Sequence, residues 1–136
     1  MLLTLVQEVQ KNLKRLAMIN DKIKLYKILE LLKIDLKSYN DYPQAARNNA
    51  KRAIKWKKEN GSSCGTPVGW RRASQLASGQ ALTRSTIARM ASFKRHQQNK
   101  DVPYSEGCGG IMWDAWGGSA GVNWAIRKLK QIDKNG

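Results

Sequence analysis

An all-α fold is predicted by three observations. Apolar residues recur at spacings of three and four, and no stretch alternates convincingly with period two. Residues that start and stop helices punctuate the chain at helix-length intervals. Residues 1–42 hold ten of the thirteen leucines and no glycine, whereas residues 43–136 hold all eleven glycines and all five tryptophans. The chain therefore divides near residue 42 into an N-terminal helical segment, 1–42, and a Gly- and Trp-containing helical domain, 43–136.

The first segment is expected to form one long helix or a helical hairpin. Leu2, Leu5, Val9, Asn12, Leu16, Ile19, Ile23 and Tyr26 make a heptad-like seam with one polar interruption. Leu25, Leu29, Leu32 and Leu36 continue an apolar face, and Asp21 can cap a second helix after a break at Asn20. Such a stripe packs either on the rest of the chain or on a second copy, so a homo-oligomer through residues 2–36 is a candidate.

Within 43–136, Pro43 suits a first helical turn, and Ala46, Ala50, Ala53 and Ile54 give a narrow apolar face that ends at Asn60-Gly61. Thr66-Pro67 opens a second helix that Gly79 closes. Thr83 can cap a third, with Ile87, Met90 and Phe93 in register. A loop from Gln98 to Gly110 follows, then the apolar run Ile111–Trp116, broken by Gly117-Gly118. Ser119 is the expected cap of a last helix carrying Val122, Ile126, Leu129 and Ile132.

Charge carries most of the functional signal. The 136 residues include 25 Lys+Arg and 10 Asp+Glu, a formal net charge of +15. Residues 43–100 concentrate it, with thirteen bases and Glu59 as the one acid. Salt bridges within that stretch cannot account for so many cations, so it reads as a polyanion-binding surface. Arg47, Lys51, Arg52, Lys55 and Lys58 recur at helical spacings, and Lys94 and Arg95 extend the stretch. Residues 71–90 read as helix, Gly-containing turn and helix, a helix-turn-helix-like pair. In that reading Arg71, Arg72, Arg84, Ser85 and Arg89 join the nucleic-acid-binding set, with Arg84, Ser85 and Arg89 on the second helix facing DNA. The turn is longer than the usual three or four residues, which argues against sequence-specific readout. DNA is favoured over RNA as the partner.

Other chemistry is weakly represented. Trp113, Trp116 and Trp124 are expected in the core, while Trp56 and Trp70, beside Lys57-Lys58 and Arg71-Arg72, are candidates to stack on bases. Cys64 and Cys108 are read as two ordinary thiols, in contact or apart, not a disulfide framework. With His96, the single histidine, they offer at most three zinc ligands at unsuitable spacing, so no metal or other cofactor is expected. Gly117–Gly121 matches G-x-S-x-G around Ser119, but the folds that use this elbow need about 200 residues or more. A nucleophilic set of Cys108, His96 and Asp114 has no spacing to support it. A non-enzymatic protein is expected. No apolar run approaches the ~20 residues of a membrane span. Glu8 interrupts the apolar start, and no cleavage site follows it. A cytoplasmic location is expected from these residues, with no membrane partner.

Several short elements resemble a known family. They are Pro43–Ala46 with Ala50 and Trp56; Gly65-Thr66 with Val68-Gly69 and Arg72-Ala73; Gln75–Ala77 with Gly79; Thr86-Ile87 with Arg89-Met90 and Ser92-Phe93; Arg95-His96; and Trp113 with Ala115–Gly118 and Gly121. Residues 43 to about 132 thereby resemble a small domain of tailed-bacteriophage head and morphogenesis proteins, sometimes fused to prohead proteases. The resemblance implies a phage virion or head-assembly context, hence a location in the virion or the host cytoplasm, with other virion proteins as further partners. It carries over no active-site residue, and residues 1–42 lie outside it. A structural capsid or connector component is the alternative function.

Overall fold

The computed structural model describes residues 2–15, 24–25, 27–28 and 37–135. They fall in two compact units, Met1–Leu36 and Lys37–Gly136. In the first unit Leu2–Arg15 is helix α1, as the seam predicts, with Leu5 and Val6 exposed. The continuation of the seam through Leu16, Ile19, Ile23 and Tyr26 lies outside the described residues, as does the turn at Asn20-Asp21.

The second unit is helical apart from one short pairing, in agreement with the all-α expectation. In order it contains β1 (Ser38–Tyr39), α2 (Gln44–Asn60), α3 (Pro67–Ala77), β2 (Leu82–Thr83), α4 (Arg84–Ser92), a 3-10 helix (Phe93–Asn99), α5 (Gly109–Ala115) and α6 (Gly118–Asn135). The unit begins a few residues before the compositional boundary, for two reasons. Ser38 and Tyr39 pair antiparallel with Thr83 and Leu82. Tyr42 is buried, donates from its hydroxyl to the Gln80 carbonyl at 2.8 Å and packs edge-on against Trp124. A two-residue bridge is too short to leave an alternating signature, so the sequence did not announce it.

Local chemistry explains most helix ends. Gly61, at φ 71°, closes α2 by donating its amide to the Lys57 carbonyl. Thr66 caps α3 through its hydroxyl, with Pro67 in the first turn. Gly79, at φ 73°, turns the chain after α3, and Thr83 accepts the Thr86 amide to cap α4. Ser119 is a correction. Helix α6 begins at Gly118, one residue earlier, so Ser119 is inside the helix and its Oγ accepts the Trp113 indole N–H at 3.3 Å. Ser119→Ala is expected to cost about 1 kcal/mol by leaving that buried indole without its acceptor. Urea denaturation measures it, and an unchanged midpoint would mean that the indole finds another partner.

The core forms around α2. Ala46, Ala50 and Ala53 are fully buried, and their small side chains admit α3, α5 and α6 close to the α2 backbone. Leu76, Ile87, Met90, Ile111 and Val122 fill the interior, together with Trp113, Trp116 and Trp124. At the α5–α6 turn, Asn49 of α2 donates to the Gly117 carbonyl at 3.0 Å. Removal of this apolar surface from water is the main force holding the unit together.

Cys64 and Cys108 form a disulfide, with Cα atoms 5.4 Å apart, which corrects the reading of two ordinary thiols. The bridge ties the α2–α3 loop to the segment before α5. The Trp70 indole N–H fixes the same loop by donating to the Cys64 carbonyl at 2.9 Å. Cys residues 44 apart in sequence meet only because α2, α3 and α5 pack together, and spacing alone carries no such information.

Candidate nucleic-acid interface

Helix α2 displays its cations opposite the alanine stripe. Lys51, Lys55 and Lys58 are exposed, and Lys55 lies 3.9 Å from Glu59 one turn on. Both groups of that pair are well solvated, so it contributes little to stability. Lys57 stands over the Trp70 ring, 4.3 Å from its centroid, and joins the end of α2 to the start of α3. The exposed Arg71 follows directly, and Ser85 and Arg89 are exposed on α4. Among the described residues Lys51, Lys58, Arg71 and Arg89 meet no carboxylate within ion-pair distance. Lys94 reaches the Asn123 side chain at 3.0 Å, and Arg95 donates to the Ser92 carbonyl at 3.2 Å.

Four residues of the expected set are engaged in contacts within the fold. Arg72 is 5% exposed, stacks over Trp116 at 5.4 Å, and donates from Nη1 to Gln75 and, at 3.5 Å, to Thr86. It is therefore a buried cation, contrary to its placement on an open binding face. Its planar guanidinium suits the indole face, and that partner lies too far along the chain to be visible locally. Arg47 is half-buried against Gly79, and its Nε is sealed without a partner. Arg84 is gripped by Asp133 of α6 through a two-point contact at 2.7 and 2.9 Å, which lowers the pKa of Asp133 through the hydrogen bond. Arg52 donates to Asn49 and stands 3.5 Å from Asp114.

The α3–turn–α4 pair is present at the predicted place, with β2 inserted in its turn. Its second helix offers Ser85 and Arg89 to solvent, while Ile87 and Met90 face the core. Of the tryptophans, Trp113, Trp116 and Trp124 are core residues, as expected. Trp56 packs edge-on against Tyr104, and Trp70 is covered by Lys57, so both rings already have partners.

One polar network lay beyond what the sequence predicts. Tyr104 hydrogen-bonds to Asp114, which also faces Arg52. Burial, and then the bond to Asp114, push the Tyr104 hydroxyl well above its ordinary range. Burial also raises the Asp114 carboxyl, against the opposing pull of Tyr104 and Arg52. Asp114 and Arg52 help to line a 300 Å³ hollow with Lys100, Asp101 and Ser119. A second hollow of 390 Å³, between Phe93, His96, Cys108, Met112 and Trp116, is mostly apolar. The conceivable nucleophilic set is not assembled, because Cys108 is bonded to Cys64 and Asp114 to Tyr104. Among the described residues no cluster of three or more His, Cys, Asp or Glu could hold a metal ion, and no helix is long and apolar enough to cross a membrane. Comparison with family models, curated proteins and solved structures gives no match.

Proposed function

We propose that the chain is a non-enzymatic nucleic-acid-binding protein of a phage particle, its Lys37–Gly136 unit holding the phosphate backbone of DNA. One observation carries the reading: thirteen bases against one acid between residues 43 and 100, with Lys51, Lys58, Arg71 and Arg89 exposed and without carboxylate partners among the described residues. Phosphate contacts need only such cations and give affinity that is sensitive to salt and indifferent to sequence. The disulfide favours the virion over the host cytoplasm, where thiols are kept reduced. The phage setting itself rests on the resemblance of residues 43 to about 132.

Contact with ~5 phosphates of duplex DNA gives log K falling with log salt at a slope near −4.5. Lys51→Ala with Lys55→Ala is expected to weaken every duplex alike and to flatten the slope by about 2. Filter binding or anisotropy with random duplexes measures both. Failure to retain DNA at about 50 mM salt would remove the reading. The second reading, a capsid or connector component, draws on α1, where Leu5 and Val6 stand exposed at 43% and 47%. It predicts an oligomer that deletion of residues 1–36 dissolves, seen by sedimentation.

A further inference from the structure

Arg72 is a charge in an unusual position. It is 5% exposed, yet among the described residues it meets no carboxylate. Nη1 is spent on Gln75 and Thr86, Nε is sealed without a partner, and Nη2 makes no hydrogen bond among the described residues. A buried cation normally acquires an anionic partner, because desolvation is offset only by close pairing. Trp116 and Gln75 instead hold this guanidinium rigid at the α3–α4 corner.

Two more arginines stand beside it. Arg71 is its chain neighbour, and Arg89 lies one turn beyond Thr86, on the side of α4 that Arg72 reaches. Burial first, then the charges of Arg89 and Arg71, depress the affinity of Arg72 for its proton. Three cations thus gather at one corner without an acid among the described residues.

We propose that Arg71, Arg72 and Arg89 form a clamp for a single phosphate group, which in the bound complex is one phosphate of the nucleic-acid backbone. Arg72 supplies Nη2 as a donor fixed in advance by Trp116, so little freedom is lost on binding. Arg71 and Arg89 close over the anion from α3 and α4. The clamp differs in kind from the α2 lysines, each of which meets its own phosphate as a separate point charge. The identity of the occupant rests on the nucleic-acid reading; the anion site itself does not.

Two measurements on the full chain test it. In the first, inorganic phosphate at about 100 mM, against chloride of equal ionic strength, raises the thermal midpoint by about 5 °C. Arg71→Ala/Arg89→Ala abolishes the rise, and Lys51→Ala/Lys55→Ala keeps it. In the second, the arginine pair flattens the salt slope for duplex DNA by about 1, because both residues serve one phosphate, whereas the lysine pair flattens it by about 2. Equal slope changes for both pairs would overturn the clamp and leave nucleic-acid binding standing. A chain that binds no DNA but keeps the arginine-dependent phosphate shift would overturn the nucleic-acid reading and leave the anion site. Absence of that shift overturns the site itself.

Discussion

Reduction of the Cys64–Cys108 bond is expected to destabilise the Lys37–Gly136 unit by about 4 kcal/mol, the loop-closure value for a bridge spanning 44 residues. The bridge removes chain entropy from the unfolded state, so its loss acts chiefly by restoring freedom to the denatured ensemble. For a unit of this size, that corresponds to a fall of roughly 20 °C in the thermal midpoint. Calorimetry with and without reductant measures the effect, and the double variant Cys64→Ser/Cys108→Ser should reproduce it without reductant. Cys108 is exposed at the surface, so reductant reaches it without prior unfolding. Coincident midpoints in the oxidised and reduced protein would show that native packing already confines both segments.

Gly110→Ala is expected to cost about 3 kcal/mol, at the upper end of the range for overpacking. A Cβ at this position overlaps the carbonyl oxygen of Val102, a backbone atom that cannot rotate away, and approaches the Lys100 carbonyl at 3.3 Å. Gly61→Ala provides the contrast. Nothing lies within 4 Å of its added Cβ, so only its backbone conformation, φ 71° and ψ 150°, opposes it, at about 1–3 kcal/mol. Chemical denaturation of the two variants separates overlap from backbone strain. A smaller loss at Gly110 than at Gly61 would mean that the 100–109 loop moves aside freely.

The helices were legible because their signals are local. Thr66-Pro67, Thr83 and Gly79 specify their turns through atoms within four residues, and the structure uses each as predicted. The alanine stripe of α2 was legible for the same reason. What escaped depends on partners far along the chain. Arg72 is basic by composition but buried by Trp116, and Cys64 finds Cys108 only after three helices have packed. Tyr104 meets Asp114 across the turn before α5, where no periodicity holds. Ser119 failed through a displacement of one residue, since the helix already begins at Gly118, a left-handed residue at φ 64° that only glycine adopts readily. The basic surface was therefore readable as a quantity of charge. Its division into exposed and internally engaged cations was not.

Helix α2 joins two sets of residues on which selection would act very differently. Ala46, Ala50 and Ala53 are fully buried where neighbouring helices meet α2, so descent with modification should leave them small. Lys51, Lys55 and Lys58 on the opposite side touch little besides solvent and a single glutamate, so their codons can drift or be recruited without disturbing the fold. The outer half of the helix can thus be rewritten while its seat is inherited intact. Divergent copies would be recognised by the spacing of three alanines more reliably than by their charge.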